Sequence, residues 1–491
     1  MTPARLPLWM ALAPVALLVT LLALDVIWFG EDSSYGANQM ALLLAALFAG
    51  ALGMSRGTTW SELRDAIAQS IGTATEALLI LLLIGALSGT WLIAGIIPAF
   101  IHYGLMVLQP GIFLFAACIV CAVLSLATGS SWGTVGTVGI ALVGIGQALG
   151  LSEGWVAGAI ISGAYFGDKM SPLSDTTNLA PAVAGTDLIT HIRYMAYTTG
   201  PSMLVALAVF LAVGLGGSAM AEGTAELAPG FAEAVTGAFH IHAGLFVAPV
   251  AVIVLIARRM PAAPALFIGV LLGALTAWLF QPHIVREVAG EDLGYAAAAY
   301  VAAMKAMAVE VTLSTGHPLA DSLLDSGGMA GMMNTVWLIV CAMTFGAVLQ
   351  ATGMLQRLTS ALVTGVQSTL GLVGRTVGAC LAFNVLASDQ YIAIVVPGKM
   401  LGEAYQKQGL APENLSRTLE DAGTVTSVLI PWNTCGVAQS GILGVATWAY
   451  APYCIFNWVS PLMTLVVAGL GWKIRRMPSG PNQQEVSSSG H

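Results

Sequence analysis

Long apolar runs recur along this chain, separated by short polar interruptions. Segments near residues 8–30, 37–54, 71–98, 195–215, 243–257, 262–280, 329–350 and 455–472 each approach the ~20 apolar residues that a bilayer crossing needs. Four further stretches, 111–150, 154–190, 369–405 and 414–446, are apolar but interrupted by polar and helix-breaking residues. Together they predict about 10–13 crossings. The first run is long and has no small-residue cleavage site, so it is expected to be a retained helix rather than a signal peptide. An alanine-rich run near 293–311 has an amphipathic cast and predicts a surface helix, and the tail from Met477 is polar. The fold class expected is an all-α polytopic membrane protein.

Composition agrees. Of 491 residues, 57% are hydrophobic and 9% charged, which excludes an ordinary soluble enzyme. The net charge of −8 says little about partners, because the acidic excess sits in two loops. Basic residues cluster elsewhere: Arg56 and Arg64 after the second run, Arg258 and Arg259 in a tight turn, and Lys473, Arg475 and Arg476 after the last run. Loop 216–242 holds Glu222, Glu226 and Glu233 without Lys or Arg, and with 282–328 it should lie on the opposite side. The positive-inside rule then places both termini in the cytoplasm of a bacterial-type cytoplasmic membrane.

The chain contains an internal echo. LATGS (126–130), QALGL (147–151) and Pro172 are matched by LASDQ (386–390), QKQGL (406–410) and Pro431, at offsets of 260, 259 and 259 residues. One half starts after a basic loop and the other after an acidic loop, which is the pattern of two inverted-topology repeats with broken helices or hairpins. The chain divides accordingly: N-terminal helices over 1–70, a first repeat over 71–215, a linker with outer loops and two helices over 216–328, a second repeat over 329–472, and a cytoplasmic tail over 473–491.

Candidate chemistry concentrates in residues 163–187, where Asp168, Asp175, Asp187, one lysine and a run of hydroxyls sit between apolar segments. An ionisable group at membrane depth costs roughly 2.5–3.5 kcal/mol even on the lenient insertion scale, so such groups are seldom idle. Pro172 breaks the helix and frees backbone carbonyls. Carboxylate, hydroxyl and amide oxygens on a broken helix suit a small hard cation, with sodium expected at Asp168, Ser174, Asp175, Thr177 and Asn178. Ser171 and Thr176 complete the first cluster. Asn384, Ser388, Asp389, Glu420, Asp421 and Asn433 form a second, as candidates for ion binding or proton coupling. Blander roles stand beside these. Residues 168–178 would also suit a cytoplasmic loop with Ser174 or Asp175 as a helix cap, and Asp389 a simple turn. Arg417 stands at the right spacing to pair with Glu420 or Asp421. Asp25 and Glu76 lie near helix ends and are expected at the interface, and Asp187 suits a helix end. Cys118 and Cys121 are expected as small helix-packing residues.

The stretch GDKMSPLSDTTNLAPAVAGTDL (167–188) resembles the signature of the NhaC family of sodium/proton antiporters. GGM at 327–329 and the layout of the second half are similar too, and the resemblance spans roughly 35–472. It implies a fold of paired inverted repeats, sodium ions and protons as cargo, and no catalytic residue or cofactor. Because the family is also thought to include exchangers of small organic anions such as malate and lactate, the resemblance leaves an organic anion open as cargo. A homo-oligomer is likewise left open. A channel would show a filter of repeated rings, and a membrane enzyme a nucleophile or metal motif; neither is evident, nor is any feature of nucleic-acid binding.

Overall fold

The computed structural model describes residues 6–29, 36–220, 230–290, 293–317, 320, 321, 324–363 and 368–477. Glu222, Glu226 and the tail beyond Met477 lie outside the described residues. Almost everything else is helix, because apolar segments in a bilayer must satisfy their own backbone hydrogen bonds. Among the described residues, eight helices are long and apolar enough to cross a membrane, and a bent pair, Thr447–Tyr453 with Ile455–Gly469, makes a ninth. The chain is an all-α polytopic membrane protein.

Two N-terminal helices, α1 (Leu8–Phe29) and α2 (Ala37–Met54), lead through α3 (Trp60–Thr73) to the first half. That half runs α4 (Thr75–Ile93), α5 (Ile96–Val107), α6 (Pro110–Thr128), α7 (Ser131–Thr134), a π-turn (Val135–Gly139), α8 (Ile140–Ala148), α9 (Glu153–Met170), α10 (Asp175–Ala184) and α11 (Leu188–Leu215). A peripheral group follows: α12 (Phe231–Ala238), α13 (Val247–Ala257), α14 (Ala262–Phe280), α15 (Pro282–Ala289), α16 (Tyr295–Ala308) and the short hairpin β1 (Val311–Thr312)–β2 (Asp325–Ser326). The second half runs α17 (Gly328–Gly331), α18 (Met333–Ala351), α19 (Met354–Val363), α20 (Thr369–Leu386) and α21 (Gln390–Lys407). It continues through α22 (Pro412–Leu419), a second π-turn (Glu420–Thr424), a 3-10 turn (Ser427–Leu429), α23 (Thr434–Leu443), α24 (Thr447–Tyr450) and α25 (Ile455–Gly469).

The two halves share a plan. At a constant offset of 259 residues, Gly150 answers Gly409, Pro172 answers Pro431 and Gly185 answers Gly444, and each of the glycines has positive φ. Leu151 bridges to Met220 in the first half, and Leu410 bridges to Arg476 in the second. The offset also corrects the sequence alignment of LATGS with LASDQ by one residue. Ser130 corresponds to Asp389, and each caps the helix that follows. The residue before each cap is left-handed, Gly129 at φ 70° and Ser388 at φ 58°. Sequence identity alone could not place this register, because the shared feature is a backbone turn rather than a residue type.

The broken segments run antiparallel. The start of α9 lies against the chain just past the second broken segment: a Cβ at Gly154 would fall 2.4 Å from the Ala449 carbonyl of α24, and one at Gly158 2.4 Å from that of Tyr453. At the other end, Thr186 and Asp187 line the same surface recess as Pro412 and Glu413. Close approach also joins α9 to α6, where a Cβ on Gly163 would meet the Cys118 carbonyl at 2.1 Å. Cys118 and Cys121 are buried free thiols on this packed face. The alanine-rich run forms α16, as expected, but its small face packs on a transmembrane helix. Ala298, Ala302 and Ala306 are buried, and the Ala306 carbonyl sits where a Cβ on Gly89 of α4 would be.

Candidate functional site

The site begins where α9 stops. After Met170 the chain leaves the helix, Pro172 and Leu173 form a turn, and Ser174 caps α10 by accepting from the Thr177 N–H. Asp168 therefore sits in the last turn of α9, buried yet facing the break. Its Oδ2 accepts from the Ser131 hydroxyl at 2.7 Å and from the Ser131 N–H at 3.2 Å. A cavity of about 450 Å³ opens at this point, lined by Asp168, Ser174, Asp175 and Thr176 from the first half and by Asp389 and Thr434 from the second. Glu76 and Arg259 line it as well. Glu76 is exposed in the first turn of α4, the helix end where it was expected, and from there it lines this cavity.

The hydroxyls and amides divide into two groups. Thr177 donates to the Lys169 carbonyl at 3.0 Å, and Asn178 donates to the carbonyls of Pro172 (3.0 Å) and Ser174 (2.7 Å). Ser171 accepts from the Leu173 N–H. These three hold backbone groups freed by the break, so Thr177 and Asn178 shape the site through hydrogens spent on carbonyls. Ser174, Asp175 and Thr176 face the cavity. In the second half, Asn384 donates to the Gly423 carbonyl (2.7 Å) and to Thr426 (3.0 Å), and Asn433 donates to the Asn384 carbonyl (3.0 Å). Asn433 also caps α23, while the Ser388 carbonyl accepts from the Thr434 N–H at 2.9 Å. Asp389 caps α21 through the Ile392 N–H at 2.9 Å and lines the cavity.

Glu420 and Asp421 lie on the second π-turn, fully buried. Their partners are not the expected one. Arg417 stacks its guanidinium on the Tyr194 ring, 4.7 Å from the centroid, and reaches neither carboxylate. Asp421 instead pairs with Lys169 of the first half and accepts from Thr464. Ser460 donates to the same carboxylate at 3.3 Å and accepts from Lys169 at 3.0 Å. Glu420 accepts from Thr176 at 2.9 Å, so both carboxylates tie one half to the other.

Sequence reasoning missed Lys169, Ser131, Ser460 and Thr464. The lysine had a signal: a cation buried among carboxylates at membrane depth requires a partner. Ser460 and Thr464 had a weaker one, standing with Asn457 at i, i+3 and i+7 on an otherwise apolar helix. Asp187 behaves as a helix-end residue. It caps α11 through the Thr190 N–H at 2.9 Å, and that hydrogen bond holds its carboxyl below the usual range.

A family model described as the Na+/H+ antiporter family matches residues 163–472, the span from the first break to the last helix. The chain belongs to that family. Among its relatives is the Na(+)/H(+) antiporter NhaC of Alkalihalophilus pseudofirmus, 34% identical over 91% of this chain and 92% of that one. The malate-2H(+)/Na(+)-lactate antiporter of Bacillus subtilis is 35% identical over 88% and 89%. The arginine/ornithine antiporter ArcD of Halobacterium salinarum is 34% identical over 94% and 92%. These relatives are named for different cargoes while matching nearly the whole chain.

Proposed function

We propose that this chain is a secondary active transporter that exchanges sodium ions for protons across the cytoplasmic membrane by alternating access. The observation that carries this is the Asp168 carboxylate: buried, on a helix break, bonded to a hydroxyl and facing a cavity shared by both halves. Sodium is held there by Asp168 with the oxygens of Ser131, Ser174 and Asp175. Protonation removes the negative charge and releases the ion, so the two cations compete for the same group. The two halves act as inverted repeats over 71–215 and 329–472, rocking about the site. The equal element plan and the antiparallel broken segments support that arrangement. The cavity reaches the turn that carries Arg259. With the basic loops and both termini in the cytoplasm and loops 216–242 and 282–328 outside, this conformation faces inward.

Everted membrane vesicles test the exchange. On addition of sodium to vesicles carrying an imposed acid interior, the interior should alkalinise, and vesicles lacking the protein should show no such response. A response to organic anions without any sodium-linked proton movement would replace this function with anion exchange.

One observation favours a second cargo. The cavity of about 450 Å³ lies in the range of small-molecule pockets and far exceeds one dehydrated ion, and Arg259 lines it with no carboxylate partner among the described residues. A small organic anion carried with sodium or protons, as in the malate/lactate antiporter, fits that space; malate and lactate in the vesicle assay decide it.

A further inference from the structure

The π-turn at Glu420–Thr424 holds a carboxylate that Asp168 chemistry does not use. Glu420 and Asp421 are neighbours in sequence and both fully buried, yet their surroundings differ. Asp421 is paired with the Lys169 ammonium and accepts on both oxygens, from Lys169 and Ser460 on one and from Thr464 on the other, which favours its charged form. Glu420 has one donor, Thr176 on Oε1, while Oε2 has no hydrogen-bond partner. The Thr424 hydroxyl, one turn on, lies beside that carboxyl and makes no other hydrogen bond among the described residues. A buried, ionised carboxylate held by so few donors is costly, whereas the protonated acid presents an O–H that needs only an acceptor, which the Thr424 hydroxyl can supply.

A path to that carboxyl is present. Ser174 lines the cavity beside Asp168, its Oγ lies 3.2 Å from the Thr176 Oγ1, and Thr176 donates to Glu420 at 2.9 Å. The geometry points to Glu420 as a second proton site of the exchanger, filled from the cavity through the hydroxyl pair Ser174–Thr176. This deepens, and rests on, the sodium/proton exchange proposed above. In the filling step a hydronium ion in the cavity gives a proton to the Ser174 oxygen and becomes water. Ser174 passes its own hydroxyl proton to Thr176, and Thr176 passes its own to Glu420, which becomes a neutral acid. Sodium arriving at Asp168 brings positive charge to the head of the same chain, and the proton leaves by the reverse path. The charged and titratable groups that bear on Glu420 are Lys169 and Asp168 on α9, Asp421 beside it and the Cys380 thiol on α20, while His191 on α11 faces Lys169 and Asp421.

The test is the number of protons moved per sodium, taken from the reversal potential of the full-length protein in proteoliposomes. Two proton sites give wild type more than one proton per sodium, and Glu420→Gln should move one fewer. Thr176→Val should keep the wild-type ratio but slow proton-coupled exchange on the order of a hundredfold, because a relay sets rate and not stoichiometry. Thr176→Ser, which restores the hydroxyl, should recover the rate. An unchanged ratio in Glu420→Gln overturns the proposal, as does a folded Glu420→Gln that loses sodium movement altogether. Should Glu420→Gln fail to fold, full-speed exchange in Thr176→Val overturns it independently. Failure of the exchange function itself looks different, since wild type would then show no sodium-linked proton movement.

Discussion

Asp168→Asn should abolish sodium-driven proton exchange while the protein remains inserted and folded. Asparagine keeps the size and can still accept from Ser131, so the end of α9 stays anchored. It has no charge to attract sodium and no proton to surrender. Removing one member of a buried charge pair costs about 2–5 kcal/mol, so sodium binding should weaken by at least roughly thirtyfold. Asp187→Asn is the matched control. Its carboxyl is exposed, bonds only to the first turn of α11 and lines none of the cavity, so exchange should persist in that variant. Everted vesicles read both. Wild-type exchange in Asp168→Asn would move the sodium site to Asp175 or Asp389, the other aspartates of the cavity.

Lys169→Met and Asp421→Asn should each destabilise the protein severely. The pair is fully buried and joins the last turn of α9 to the second π-turn, one of the points where the two halves touch. Breaking a buried pair leaves an uncompensated charge and costs about 3–5 kcal/mol, whereas removing both partners is often nearly neutral. The double variant Lys169→Met with Asp421→Asn should therefore melt closer to wild type than either single variant does. Thermal unfolding in detergent measures this. If the single variants melt like wild type, Lys169 and Asp421 do not form the cross-link seen here.

The course of the chain was largely readable from the sequence, and its pairings were not. Long apolar runs marked α1, α2, α4, α14 and α18 closely, because a bilayer leaves one solution for an apolar segment of that length. Pro172 and Pro431 marked the two breaks for an equally local reason. Lys169 and Asp421 are 252 residues apart, and only packing brings them together. Local spacing favoured Arg417 as the partner of Glu420 or Asp421. The change from α-helix to π-turn after Leu419 alters which residues share a face, and Arg417 turns to Tyr194 instead. Thr177 and Asn178 were read as cation ligands because their oxygens suit one. Their hydrogens also hold carbonyls that the Pro172 break leaves open, a second role that the sequence did not show. The same break that creates a site also claims nearby polar side chains for its own repair, and a sequence does not say which serve each purpose.

The central claim is that sodium and protons compete for the carboxylates at the helix break. Purified protein in detergent, titrated with sodium in weak buffer, tests it most directly through the protons released on binding. Sodium should release protons, its apparent affinity should fall as the pH falls, and Asp168→Asn should show neither binding nor release. Sodium binding that releases no protons and keeps the same affinity across the pH range would contradict the account.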